Sequence, residues 1–412
     1  PVEALILQAR NTIFSEELWQ ELNREARTLG SFGVQSKDDT LMCPLSATKT
    51  AVFDLVPLGD STLSGPDDAM AEGVFISLNL LLSYAHRQNH RRRTQPPPPI
   101  SSQKKIVPPY NLLRAILTRL KHQETVGQLH SLFEPLCRVT ASASLKPLPT
   151  FTLTSTPWTP PPQFPKVEQT MLSLIDRLEA TVTLTMSEMT TITVAAHTSL
   201  TVAARTSLIP VASAFYLSLS PNSPLTVTCP PPQSLNSFSA LTDYIHYFAA
   251  CAIATSISTA SPNESEDDTE QVEAESGHWH QTPHPTTLRT SVPASPTTGS
   301  KLPKTKQLAI SIQGLTATDK SGLRLRAQWE WSGKEPAGSE INVRRSSFGY
   351  PALIEDVQGQ AQAGGDIVKV VKAQGEGLYD WYAWEGEQGK KWDAGEGELF
   401  RSLESVVDDA RK

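Results

Sequence analysis

Apolar residues at Ile6, Ala9, Ile13, Phe14, Leu18, Leu22, Ala26 and Leu29 recur mostly at steps of three and four. That period predicts a helix through the first thirty-odd residues with one apolar stripe. Arg10, Glu17, Glu21, Arg24 and Glu25 occupy much of the remaining surface, and Gly30 and Gly33 stand where such a helix can end. A helix of this kind has to lie against something, because burial of the stripe and its intrahelical hydrogen bonds do not reliably offset the cost of ordering the chain. The stripe meets either the rest of its own domain or another protein.

The pattern then changes along the chain. TAVFDLVPL, within 41–58, reads as a strand closed by Pro57 and a polar, glycine-bearing stretch. A second helix is predicted over Met70 to Arg87, followed by an exposed loop from Gln88 to Val107, where arginines give way to four prolines. A third helix begins near Pro109 and places Leu112, Leu113, Ile116, Leu117, Leu120, Val126, Leu129 and Phe133 at helical spacing. Pro147 to Pro165 reads as an extended linker, with a short helix from Val167 to Leu178 after it.

Residues 181–228 alternate β-branched and small side chains, as in TVTLT, TITVAA and AFYLSL, which predicts an antiparallel sheet. An amphipathic helix at Ser237 to Ser256 is expected to cover one face of it. Beyond it, 257–306 runs from an acidic stretch through Pro, Thr and Ser to Lys301, Lys304 and Lys306, with too little apolar surface to order the chain, so it is expected to be a disordered linker. The final unit opens with LAISI at Leu308. It continues with a strand whose Leu323, Leu325, Ala327, Trp329 and Trp331 share one face, Arg324, Arg326, Gln328 and Glu330 the other, as in a sheet with one side in solvent. Strands at Ile367 to Val371 and in the hairpin Leu378 to Trp392, and a helix at Leu399 to Val407, complete it. Five of the eight tryptophans fall here.

The expected class is therefore α+β: a long N-terminal helix, further helices with antiparallel sheet, and a small C-terminal α+β unit. Its expected parts are an interaction helix (1–40), an α+β domain (41–256) with exposed loops near 88–107 and 147–165, the linker (257–306) and the tryptophan-rich unit (307–412).

The 32 prolines and 19% charged residues in 412 point to less folded structure than the length alone would allow. A net charge of −7 gives no general field for nucleic acid, so direct nucleic-acid binding is not expected. The four cysteines, Cys43, Cys137, Cys229 and Cys251, form no CxxC pair and read as reduced, buried thiols. The run from Val74 to Ala85 is too short to span a bilayer, and Phe238 to Ile257 carries Asp243 and His246, so no membrane association is expected. Pro1 in the place of an initiator methionine reads as a fragment or a processed chain.

The run QARNTIFSEELWQELNREAR, Gln8 to Arg27, resembles the segment that opens the C-terminal half of the fungal seventeenth subunit of Mediator, a head-module scaffold. YDWYAWEGEQGKKWDAGEG and the helix SLESVVDDA at Ser402 to Ala410 are similar to the end of the same family. The resemblance implies a nuclear, non-catalytic scaffold without cofactors. Its partners would be other head subunits, especially the eleventh and twenty-second, and RNA polymerase II. It also implies that Ile6, Ile13, Phe14, Leu18, Trp19, Leu22 and Leu29 form a helical seam with those neighbours, large apolar anchors being what such contacts use.

Other constellations carry alternatives. GDS at Gly59 to Ser61, with Asp243 and His246 far downstream, would suit a GDS-type serine hydrolase in which histidine, held by the carboxylate, takes the serine proton. The helical setting of ALTDYIHYFAACA and the lack of alternating strands and helices speak against it. An adaptor outside transcription, using its acidic stretch as a binding tail, is a third reading. His278, His280 and His284 form an H-x-H-x3-H cluster, better read as linker residues than as metal ligands, and His86 and His90 lack a third ligand. Arg91, Arg92 and Arg93, followed by Lys104 and Lys105, have the two-part spacing of some nuclear import signals.

Overall fold

The computed structural model describes residues 2–56, 67–94, 110–143, 149–156, 166, 169, 178–187, 197–221, 223–259, 279–292, 304–317, 320–332, 344–345, 351–352, 371–373, 376–384 and 402–411. The class is α+β with antiparallel sheets, as the sequence patterns predict.

Helix α1 runs from Val2 to Ala26 and tightens into a 3-10 turn over Arg27–Phe32. The turn stops at Gly33, whose φ of 81° lies in the left-handed region and whose N–H donates to the Gly30 carbonyl. Three short strands follow, β1 (Gln35–Lys37), β2 (Thr40–Pro44) and β3 (Thr50–Asp54), paired in that order. Helix α2 spans Asp68–Thr94. The expected exposed loop from Gln88 is therefore helix as far as Thr94, about two turns. Arginine continues a helix readily.

Helix α3 covers Leu113–Ser142. It lacks a capping side chain of its own, since Leu112 precedes it. The cap comes from α1: the Glu25 carboxylate accepts from the backbone N–H groups of Leu112 (2.9 Å), Leu113 (2.7 Å) and Arg114 (3.0 Å). Arg114 Nε lies 3.5 Å from the same carboxylate, and Arg114 Nη2 donates to Thr28 Oγ1 at 2.7 Å. Negative charge at a helix N-terminus is favoured by the orphan amides and by the helix dipole. Around this joint Leu18, Leu22, Ala26 and Leu29 form one apolar cluster with Leu78, Leu81 and Leu82 of α2, Leu112 to Leu117, and Leu41 and Cys43 of β2.

The threonine-rich segment forms a four-stranded antiparallel sheet in the order β4 (Thr150–Thr156), β5 (Leu178–Ser187), β6 (His197–Leu208), β7 (Val211–Leu219). The sheet predicted over 181–228 is thus present as far as Leu219, whereas Leu225–Thr228 forms a short helical turn. Strand β4 lies inside the stretch expected to be a linker, because TFTLTST alternates well enough to pair with β5 from end to end. The short helix expected at Val167 to Leu178 falls almost wholly outside the described residues.

A six-stranded sheet has the order β12 (Val371–Ala373), β13 (Glu376–Trp384), β11 (Lys320–Ser332), β10 (Lys304–Ala317), β9 (Thr287–Val292), β8 (His280–Gln281). The stretch expected to be disordered therefore contributes the end of a helix, β8, β9 and the start of β10. Leu288 and Trp279 supply the apolar surface that its overall composition hides. Leu323, Leu325 and Ala327 face the core as predicted, while on the other face Arg326 makes a two-pronged pair with the buried Asp380 (2.8 and 3.1 Å).

Helix α4 (Phe238–Thr259) lies mainly on β10, with β8 and β9, and not on the threonine-rich sheet it was expected to cover. It is buried nearly all round, so the assumption of a single apolar face misassigned it. Phe238 does meet Phe215 of β7, ring centres 6.1 Å apart. The helix that covers the four-stranded sheet is α3, which touches all of β4 to β7 and, on its other side, β11 and β13. Leu129 to Val139 of α3, Val182 and Leu200 from one sheet, Leu308 and Trp381 from the other, and Leu403 and Val406 of the closing helix α5 (Leu403–Arg411) all belong to one buried cluster. The interior is thus continuous between the segments expected to form two units.

Candidate interaction surface

The seam residues of α1 separate into two groups. Leu18 (6% exposed), Leu22 (3%) and Leu29 are enclosed by this chain's own α2, α3 and β2. Ile6 (62%) and Ile13 (65%) face outward, and Phe14 and Trp19 are half-buried against the cluster. The apparent single stripe is two, because the five-residue step from Ile13 to Leu18 turns about 140° around the helix axis. Burial of Leu18, Leu22 and Leu29 inside the chain removes them from a seam with another protein.

The outward group lines a shallow groove of about 430 Å³ formed by Ile6, Ala9, Arg10, Ile13, Phe14 and Glu17. Its inner end is fixed by neighbouring elements. A Glu17 carboxylate oxygen lies 3.1 Å from His86 Nε2 on α2, and the Phe14 ring sits 6.4 Å from the His86 ring. His86 in turn tilts toward Tyr110 at 6.3 Å, and the Arg24 guanidinium lies over the Tyr110 ring at 5.8 Å while pairing with Glu21 at 2.5 Å. Met70, Phe75, Ile76 and Leu80 of α2 add further exposed apolar surface. Exposed apolar patches rimmed by polar residues mark sites of protein association.

Arg91, Arg92 and Arg93 are exposed on the last turn of α2, where cations also suit the helix dipole. Lys104 and Lys105 lie outside the described residues. So do Gly59 to Ser61, so the serine of the GDS motif has no placement relative to Asp243 and His246. Both of those sit on α4, Asp243 exposed and His246 half-buried, its Nε2 enclosed and without a hydrogen-bond partner among the described residues. Burial lowers the His246 pKa to about 4. His280 lies on β8 and His284 in the following turn, while His278 is outside the described residues. Among the described residues there is no cluster of metal-ligating side chains, and no helix is long and apolar enough to cross a membrane. Cys43, Cys229 and Cys251 are buried and Cys137 half-buried, all as free thiols. Burial pushes Cys43 up to about 12 and Cys137 up to about 11.

Two features escape sequence reasoning. Glu25 reads as a solvent-facing residue yet is the cap of a helix 87 positions away. Burial raises its pKa, against the lowering effect of the three amides and Arg114. The second is a buried polar chain between α3 and the four-stranded sheet: His122 Nδ1 meets Thr206 Oγ1 at 3.2 Å, Thr206 meets Ser213 at 3.1 Å, and Ser213 meets Thr125 at 3.0 Å. Among the described residues no carboxylate is part of it, and burial lowers the His122 pKa, so it reads as a device that fixes the helix on the sheet.

The surface just described lies wholly within residues 1–140, and that stretch matches one protein family. The family is subunit 17 of the Mediator complex. Curated relatives agree. A Mediator of RNA polymerase II transcription subunit 17 from Emericella nidulans is 37% identical over 149 residues, 35% of this chain and 24% of its own length. That of Aspergillus clavatus is 40% identical over 150 residues, 35% and 23% of the two chains. That of Yarrowia lipolytica is 31% identical over 130 residues, 31% and 25%. The matched part spans about a quarter of the length of the curated relatives. The subunit 17 match includes α1, the small sheet, α2 and nearly all of α3. It ends before the tryptophan-rich hairpin, of which Leu378 to Trp384 lie in β13 and the remainder falls outside the described residues.

Proposed function

We propose that this chain is a non-catalytic scaffold segment of the Mediator head module, working in the nucleus in regulated transcription by RNA polymerase II. The observation that carries the reading is the coincidence of the subunit 17 match with an outward apolar stripe on α1. Its partners in this reading are the eleventh and twenty-second subunits, whose helices cover Ile6, Ile13 and Phe14, with RNA polymerase II contacted through the assembled head. The mechanism is burial of preformed helix surface. The lower half of α1 is already clamped by Glu25, Leu18 and Leu22, so a partner helix meets a rigid rail and loses less conformational entropy on docking. Arg91, Arg92 and Arg93, with Lys104 and Lys105, serve nuclear import.

Co-expression with the two small subunits, followed by size-exclusion chromatography, tests the seam. Ile6→Asp with Ile13→Asp is expected to abolish co-elution while circular dichroism of the chain is unchanged, since both side chains are exposed. Co-elution that survives the double substitution counts against the seam. A hydrolase reading would instead require a fluorophosphonate probe to label the chain and Ser61→Ala to abolish the labelling.

A further inference from the structure

The outward line of α1 carries a charge order with a symmetry of its own. Glu3, Ile6, Arg10, Ile13, Glu17 and Arg24 follow one another at steps of three, four and seven, which keeps them on one side of the helix. Read along the line, the charges alternate from negative to positive twice, with the exposed isoleucines between them. A second copy of the helix, turned end for end about the point between Ile13 and Phe14, sets Glu3 against Arg24 and Arg10 against Glu17 in the same register. The central contact is then Ile13 against Phe14, from both copies. A parallel second copy would instead oppose Glu3 to Glu3 and Arg10 to Arg10.

We propose that, when no other protein covers this groove, two copies of the chain pair through it with their α1 helices antiparallel. The charged members keep enough freedom to take part: the Arg24 side chain is 61% exposed despite Glu21, and that of Glu17 is 41% exposed despite His86. The face bearing Leu18 and Leu22 points elsewhere, so pairing leaves the chain's own core intact. The paired stretch, Glu3 to Arg24, is about 33 Å long at 1.5 Å per residue, which gives an interface at the small end of specific complexes. The dimer is accordingly weak and dependent on concentration and on salt. The inference uses the same stripe as the scaffold reading but does not depend on who the foreign partner is.

The test uses the full chain alone, in sedimentation-velocity runs over a hundredfold range of concentration. The wild-type mass is expected to rise from one copy toward two. Arg10→Glu opposes Glu17 with a like charge twice per dimer and is expected to weaken association at least tenfold. Arg10→Glu with Glu17→Arg exchanges the partners and is expected to restore it. Ile13→Cys, close to the proposed twofold axis, is expected to cross-link copy to copy under a thiol oxidant, whereas Ile6→Cys is not, because antiparallel pairing holds its two copies far apart. A chain monomeric throughout, a double exchange that fails to recover what the single substitution lost, or cross-linking through Ile6→Cys would each overturn the proposal. Failure to bind the small Mediator subunits would leave these outcomes unchanged, so the two readings fail separately.

Discussion

Glu25→Ala removes the carboxylate that caps the start of α3 from α1. The substitution leaves the N–H groups of Leu112, Leu113 and Arg114 without their acceptor, the first two in buried residues, and takes from Arg114 its carboxylate. A lost helix cap costs about 1 kcal/mol, and each buried donor left unpaired about 1–3 kcal/mol. Water entering the gap recovers some of this, so the net loss is set at about 3–5 kcal/mol, a large share of the roughly 5–15 kcal/mol that holds a protein folded. Glu25→Gln keeps an acceptor oxygen at the joint without requiring a charge to be buried, and its loss is set at about 1 kcal/mol. Urea unfolding followed by tryptophan fluorescence measures both, with Glu3→Ala on the exposed end of the same helix as the control. The pH dependence supplies a second readout. Burial raises the folded-state pKa of Glu25, so its contribution to stability is complete below its ordinary value of 4.5 and declines as pH rises through the raised value. Glu25→Gln removes that decline. An Ala variant within about 1 kcal/mol of the Glu3→Ala control would refute the assignment of Glu25 as the cap.

Two further outcomes follow from groups already described. His246 has a pKa lowered by burial to about 4, so its contribution is present above pH 6.5 and lost as pH falls toward 4, by at most about 3 kcal/mol; His246→Phe is expected to flatten that part of the stability profile, measured by urea unfolding at pH 7, 5.5 and 4.5. Gly33→Ala forces a side chain onto a residue with φ of 81° and brings its Cβ to 3.1 Å from Pro44 Cγ, so a loss of about 1–2 kcal/mol is expected in the same assay, and an unchanged midpoint would show that the turn relaxes freely.

What could be read from the sequence was whatever depends on neighbours in the chain. The threonine-rich strands declare themselves by alternation, and α1 and α3 by their three-and-four spacing. Residues whose environment is set by distant segments do not. Glu25 looks like a solvent residue because nothing near it signals that Leu112 will arrive beside it. The apolar positions of α1 look like one stripe because a count of apolar residues does not separate the side facing α2 and α3 from the side facing out. Strand β4 is hidden by the prolines around it, and the part of α2 from Gln88 to Thr94 by arginines that suggest a loop but suit a helix. The linker reading of 257–306 averages an acidic stretch together with Trp279 and Leu288, and the average conceals two residues that belong to the core.

The position of α3 sets the order in which this polypeptide can mature on the ribosome. One flank of the helix is covered by residues 150–219, which emerge soon after it, but the other waits for β11 and for β13, which ends at Trp384. During translation the helix therefore spends the synthesis of the intervening stretch half-clothed, a state in which bare apolar surface recruits chaperones and invites premature clumping. A nascent chain halted before β11 lacks both strands that cover this flank of α3.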